Sequence, residues 1–403
     1  MAVNEKNSPK IEQILLDLLA NSLFGAGRKI ECNPVIWPLV WHESYVQAVS
    51  LIAFSGESPQ NCDERFLEKM RTKLQNDVRG VMHINREHIR LHKMLSDADI
   101  PYVILKGAAS AAYYPDPLLR AMGDVDFLVD EKDIKRTCKV LEKNGLKRNP
   151  KEHEKHIVYF DENGTYELHV TPAGVPKGDD GQKVRELLRD IIDTSREIKT
   201  DFGVIRVPDH FHHGLVVLLH TCCHLTSEGI GLRQLCDWGA FVSSFTDEEF
   251  SEMFEEKLKS VGLWRFSRVL TQVCTECLGL PERRFAGDYD KAVVDSFTED
   301  IFKSGNLGQK NPVSVQESLF VCADKSKKSV LRHLVSSVNE IVYFYWGFTK
   351  KYKILLPLGW LFFGGRYIIR SLTGKRPKIN IKKLKEETNT RSSLYDEIKL
   401  FKE

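Results

Sequence analysis

The sequence predicts an α+β protein in which a small mixed sheet sits between helical N- and C-terminal regions. Three observations predict it. Residues 1–100 carry apolar side chains at three- and four-residue steps. Residues 101–170 switch to short apolar strands, a glycine-opened helix and a hairpin signal. From Phe211 the helical pattern resumes. The divisions that follow are a helical region at 1–100, an α/β unit at 101–208, a helical domain at 209–350, and an apolar helix with a basic tail at 351–403.

Taken in order, IEQILLDLLANSLFG has helical spacing and stops at Gly25. WPLVWHESYVQAVSLIAF reads as a second apolar helix. Asp63 to Asp97 reads as one long or broken charged helix with Phe66, Met70, Leu74, Val78, Val81 and Ile84 on its apolar face. YVILK is a short buried strand, GAASAAYY a short helix opened by Gly107, and PDPLLRAMG a proline-punctuated loop. DVDFLVD alternates acid and apolar residues as a strand does. EKDIKRTCKVLEKNG is an amphipathic helix closed by Gly145. HIVYFDENGTYELHV is a β-hairpin turning at Asn163-Gly164. This order gives a small mixed sheet with helices on one side. A charged helix follows, and DFGVIRVPD returns one more strand. FHHGLVVLLHTCCHLTSEG, LRQLCDWGAFVSSF and residues 249–280 are helices of the next domain.

Composition excludes several classes. The chain has 403 residues and a formal net charge of +2, so it is not a polyanion binder by bulk charge, and nucleic acid is not an expected partner. Its nine cysteines are odd in number, irregularly spaced and mostly in apolar helical contexts. That pattern points to reduced thiols and a cytoplasmic protein. The N-terminus lacks a signal-type apolar run. No segment reaches the ~18 uninterrupted apolar residues of a spanning helix. ILLPLGWLFFGG, from Ile354, comes nearest. With its flanking Lys and Arg it reads either as a helix packed back on the protein or as a peripheral membrane contact through 351–403. The tail from Thr373, with Lys375 to Lys385, is expected to be mobile.

The chemistry concentrates between Tyr102 and Asp130. Asp124 and Asp126 stand at i and i+2 on a strand and so share a face. Carboxylates in that arrangement hold a divalent ion against phosphates. Gly107 lets backbone approach a phosphate closely, and the N–H groups of Ala108–Ser110 lie at the start of the helix it opens. Lys106 and Arg120 are candidates to neutralise phosphate charge. Taken alone, Asp-x-Asp is equally consistent with a solvated strand edge.

LKG at Leu105–Gly107, YYP at Tyr113–Pro115, Arg120, DVD at Asp124–Asp126, ELH at Glu167–His169, and His220, His224 with GLRQLCDW at Gly231–Trp238 occur in that order. The series resembles the polymerase-β-type nucleotidyltransferase superfamily, and within it a bacterial group of uncharacterised nucleotidyltransferases. The resemblance covers roughly residues 10–370. It implies a nucleotidyltransferase fold and a Mg²⁺- or Mn²⁺-dependent enzyme. Such an enzyme moves NMP from an NTP such as ATP to a hydroxyl-type acceptor and releases pyrophosphate. It makes Asp124, Asp126 and Glu167 the metal and catalytic acids. Lys106, Gly107, Ser110 and Arg120 become nucleotide-site candidates, and His169 either orients Glu167 or contacts the acceptor. The chain departs from the superfamily in having Ala108 and Ala109 after Gly107 where Gly-Ser or Gly-Gly is usual. The rival implied by that departure is a catalytically degenerate module that binds nucleotide or protein. The resemblance leaves the acceptor open among small molecules, saccharides and proteins.

In the helical domain, His220 and His224 share a helix face, with Cys223 close to it. The zinc-hydrolase Glu after the first His is absent. The pair reads as a metal site with Cys223 as a possible ligand, as histidines packed against or bonded to Asp237 or Arg233, or as a face bordering the cleft. Arg233 is a candidate for substrate-anion contact and an i,i+4 partner for Asp237. Cys274 and Cys277 read as core, and His210, His212 and His213 as surface or cap.

Overall fold

The computed structural model describes residues 8–56, 59, 61–150, 156–172, 174–176, 178–288, 290–310 and 346–372, with scattered positions in 335–343 and 394–401. Four helices open the chain: α1 (Ser8–Phe24), α2 (Trp37–Val46), α3 (Ser50–Ala53) and α4 (Glu64–Ser96). α1 stops at Gly25, at φ +62°, whose N–H donates to Asn21 O at 3.0 Å. The apolar run expected as one helix after Trp37 is broken in two at Ala48, which sits at φ +55°. α4 is unbroken, and its stripe of Val81, Ile84, His88, Leu91 and Leu95 is buried at three- and four-residue steps.

Five strands form the main sheet: β1 (Tyr102–Ile104), β2 (Val125–Val129), β3 (Lys147–Arg148), β4 (His156–Phe160) and β5 (Thr165–His169), in the order β1-β2-β5-β4-β3. β2 and β5 run parallel and the other neighbours antiparallel, so the sheet is mixed as expected. α5 (Ala108–Ala111) lies between β1 and β2, and α6 (Ile134–Lys143) follows β2. The hairpin loop is four residues long. It is held by Asp161, whose carboxylate accepts from Asn163 N at 2.8 Å and Gly164 N at 3.1 Å.

Both faces of the sheet are covered, not one. Val125, Phe127, Val129, Tyr166 and Leu168 pack with Ile84, Leu91 and Leu95 of α4 and Leu141 of α6. Val103, Leu105 and Leu128 join the core of the helical domain instead. Strand alternation makes this split, and it turns Asp126, Glu167 and His169 toward the helical domain.

The charged helix is α7 (Gly178–Leu187). The strand expected near Gly203 forms, but it pairs only within its own two-stranded sheet, β6 (Arg196–Thr200) with β7 (Gly203–Val207). The helical domain contains α8 (His210–Leu225), α9 (Leu232–Val242), α10 (Asp247–Ser260), α11 (Trp264–Leu278) and α12 (Lys291–Ser304). Residues 249–280, expected to be helical, hold α10 and α11, which meet at Gly262, φ +65°. His212 and His213, expected at the surface or as cap residues, lie in the capped first turn of α8 but are buried, 3% and 2% exposed. His213 stacks on Tyr113, and Asp209 caps α8 by accepting from His212 N at 2.8 Å. Cys274 and Cys277 are buried, and the eight described cysteines are free thiols.

A further helix, α13 (Leu356–Leu372), follows. Ile354 and Leu361 beside and within it are 86% and 74% exposed, so the expected packing against the protein does not cover that face. Among the described residues no helix is long and apolar enough to cross a membrane. Lys375 to Lys385 lie outside the described residues. Farther on, Leu394 and Ile398 are buried in the helical core, and Phe401 N–H donates to Gly262 O at 3.0 Å.

Candidate functional site

A cleft of ≈ 490 Å³ opens between the sheet and α8–α9, lined among others by Lys106, Asp124, Glu167, His220, Arg233 and Leu307. The strand register builds its acidic pole. Asp126 of β2 lies directly opposite Glu167 of β5, and Asp124 stands just before β2 on the same side. One oxygen from each of Asp124, Asp126 and Glu167 lies within 4.8 Å of the others. Three convergent carboxylates are a hard-oxygen donor set that suits Mg²⁺ or Mn²⁺.

The electrostatics of the acids diverge. Burial and the adjacent Asp126 charge push the Asp124 carboxyl above its usual range. Burial pushes Asp126 the same way, but Lys106 and His169 outweigh it and hold that carboxyl well below the usual range. Lys106 Nζ is 3.0 Å from Asp126 Oδ1, and His169 Nε2 is 2.9 Å from the same oxygen. A cationic nitrogen thus already sits against the carboxylates, which is where a cation belongs electrostatically.

α8 and α9 form the opposite wall. His220 Nε2 lies 3.3 Å from Lys106 Nζ and 3.0 Å from His224 Nε2, while His224 Nδ1 contacts Glu228 Oε2 at 2.9 Å. The two histidines therefore border the cleft, but they bond to each other, Lys106 and Glu228 rather than to Asp237 or Arg233. Burial, then Lys106 and His224, drive the His220 imidazole far below its ordinary value, so it is neutral.

Arg120 and Asp237 are joined by two bonds, Nε to Oδ1 at 2.7 Å and Nη2 to Oδ2 at 2.8 Å. Tyr114 OH donates to the same carboxylate at 2.7 Å. Asp237 therefore pairs with Arg120, and the expected i,i+4 bond from Arg233 is not made. Arg120 lines the cleft with its charge already matched. Arg233 is different. It has no salt-bridge partner among the described residues, and its Nε is buried without a hydrogen bond. Burial and the nearby Arg120 lower its pKa. An unmatched guanidinium facing a cleft is costly unless an anion joins it.

The turn after β1 has a second duty. Gly107 sits at φ +60°, and a Cβ there would lie 2.9 Å from His88 Nε2. Ala109 N–H donates to Lys106 O at 3.1 Å, so that group is not open to a phosphate. α5 has only four residues. Ser110 lines the cleft, and its hydroxyl is buried without a partner.

All nine sequence-predicted residues, Lys106, Gly107, Ser110, Arg120, Asp124, Asp126, Glu167, His169 and Arg233, line this one cleft. The sequence reading missed His156, which stands opposite His169 in the hairpin. Its signal was available: once Phe160 pairs with Thr165, His156 must pair with His169. It quoted Tyr114 within the YYP segment without assigning it a role, and it missed Glu228, for which no local pattern exists.

Clustered acids and an unmatched guanidinium on one cleft give it the means to hold a cation and an anion together. A family model described as uncharacterised nucleotidyltransferase matches residues 34–279. That is more than half of the chain, and the chain belongs to this family, whose general role is nucleotidyl transfer. No curated protein and no solved structure gives a significant match.

Proposed function

We propose that the protein is a divalent-metal-dependent nucleotidyltransferase of the polymerase-β type, moving NMP from an NTP to a hydroxyl-type acceptor. The observation that carries this is the convergence of Asp124, Asp126 and Glu167 within 4.8 Å on the wall of a cleft that also holds the unmatched Arg233. Asp124, Asp126 and Glu167 would hold Mg²⁺ or Mn²⁺, which when bound would supply Lewis-acid stabilisation of phosphate charge. Lys106 neutralises Asp126 before substrate arrives and turns to phosphate oxygens afterward. Arg233 takes the anionic phosphates, and Ser110 donates its hydroxyl to one of them. Glu167, more exposed at 23% than Asp126 at 4%, accepts the proton of the attacking hydroxyl. The acceptor oxygen forms a bond to the α-phosphorus, the bond to the β-phosphate oxygen breaks, and pyrophosphate leaves.

The acceptor, whether a small molecule, a saccharide or a protein, lies on the His220–His224–Glu228 side of the cleft in this reading. The apolar residues Ile354, Leu358, Leu361 and Phe362 support peripheral contact with a membrane surface, because all four are at least half exposed. The proposed site is cytoplasmic, which the free thiols support. The second reading is a degenerate module that binds nucleotide without transfer. It is favoured by the four-residue helix after Gly107 and by the committed N–H of Ala109. Incubating each α-³²P-labelled NTP and Mg²⁺ with the protein and candidate acceptors separates the two. Label transfer and pyrophosphate release that vanish in Glu167→Gln support the enzyme. Tight Mg·NTP binding with no turnover on any acceptor class supports the module.

A further inference from the structure

A second donor cluster lies beside the carboxylates. The hairpin register sets His156 opposite His169 and Val158 opposite Glu167. Alternate strand positions share a face, so His156, Glu167 and His169 project together toward the cleft. Glu167 Oε2 is 3.7 Å from His156 Nε2 and 3.6 Å from His169 Nε2. One donor atom from each of the three lies within 4.8 Å of the others. The imidazole rings are 5.2 Å apart and inclined at 44°, so they do not stack. The His156 and Glu167 side chains are 21% and 23% exposed, and His169 is 3% exposed. An ion entering from the cleft would meet two reachable ligands and one fixed by burial.

The donor chemistry differs from that of the neighbouring acids. Two imidazoles and one carboxylate suit Zn²⁺ and its transition-metal neighbours, whereas Mg²⁺ prefers oxygen alone. We propose that His156, Glu167 and His169 form a second cation site, selective for a zinc-class divalent ion, that shares Glu167 with the Asp124–Asp126 site. The inference rests on the proposed function only through that shared carboxylate.

The sharing makes the second site regulatory. His169 Nε2 is also the atom bonded to Asp126 Oδ1 at 2.9 Å. An ion on that nitrogen displaces its proton and breaks the bond to Asp126. The other nitrogen of His169 is buried without a partner, so the exchange breaks no bond at Nδ1. The same ion draws an oxygen of Glu167 away from the first site. Zinc occupancy therefore weakens Mg·NTP binding, and by linkage Mg·NTP weakens zinc binding by the same factor.

The test is titration calorimetry of the full chain with Zn²⁺ alone, paired with the visible absorption of the Co²⁺ form. The proposal expects one zinc site in wild type, weakened at least about tenfold in His156→Gln. It expects Asp124→Asn to keep that site and His156→Asp, which retains a ligand atom, to recover part of the affinity. Nitrogen-ligated Co²⁺ bands should appear in wild type and fade in His156→Gln. Three results would overturn it: wild-type zinc affinity in both His156 variants, loss of the site in Asp124→Asn, or loss in His220→Gln with His156→Gln unaffected. Circular dichroism of each variant checks that the fold is retained. Zinc binding without any Mg·NTP binding would sink the proposed function and leave this site standing, and the reverse result would do the opposite.

Discussion

Replacing Asp237 with Asn should destabilise the protein more than any other single change at the cleft. The Asp237 side chain is 10% exposed and that of Arg120 is 6% exposed. Two bonds of 2.7 and 2.8 Å join them, and Tyr114 adds a third to the same carboxylate. Arg120 belongs to the segment between β1 and β2, while Asp237 belongs to α9, so the pair ties the sheet to the helical domain. The carboxylate offsets the cost of burying Arg120, and Arg233 adds a second positive charge nearby. Removing the negative partner leaves the buried Arg120 guanidinium unpaired within reach of the Arg233 charge. Breaking a buried pair from one side typically costs ~3–5 kcal/mol, and the long-range field of Arg233 places this site toward the upper end. The assay is equilibrium denaturation of wild type, Asp237→Asn, Arg120→Met and the double variant. The double variant should lose less than the sum of the two singles, because it leaves no orphaned charge at this pair. A loss below ~1 kcal/mol in Asp237→Asn, the range of a solvated surface pair, would refute the reasoning.

Other outcomes follow from single residues. Gly107→Ala should cost ~1–3 kcal/mol in a denaturant melt, from the positive φ and the overlap with His88, and a neutral result would mean the turn relaxes freely. Acid should destabilise the fold through buried histidines. Burial lowers His88 to about 4 and His213 to about 3, whereas unfolded histidine titrates near ~6.5. The unfolded chain therefore binds more protons below ~6.5, and stability should fall with decreasing pH at up to ~1.4 kcal/mol per unit for each group, ending near the folded values. His213→Gln should remove one of these two slopes, and an unchanged pH profile would argue against it. Leu361→Asp should shift stability by less than ~0.5 kcal/mol, since the side chain is 74% exposed, while reducing flotation with anionic liposomes. Equal flotation of the variant would remove the membrane contact from the account.

The parts of the fold legible in sequence were those set by local pattern. α4, β2, α6 and the β4–β5 hairpin follow from periodicity and glycine punctuation, and each stands where the pattern put it. The convergence of Asp124, Asp126 and Glu167 was legible because all three occur on strand-type segments in a recognisable order. Long-range pairing was not legible. Nothing around Asp237 says that its partner is Arg120 rather than Arg233, because i,i+4 spacing offers Arg233 first and only tertiary packing decides. The burial of His212 and His213 was hidden for the same reason, since a helix start looks exposed until Tyr113 closes over it. The separate β6–β7 sheet was hidden because a strand pattern does not name its partner.

The most direct measurement is calorimetric titration of ATP, GTP, CTP and UTP with Mg²⁺ into wild type and Asp124→Asn/Asp126→Asn. The account predicts Mg²⁺-dependent binding of at least one nucleotide by wild type and its loss in the folded variant. Binding of equal strength in the variant, or none of the four bound by folded wild type, would contradict it.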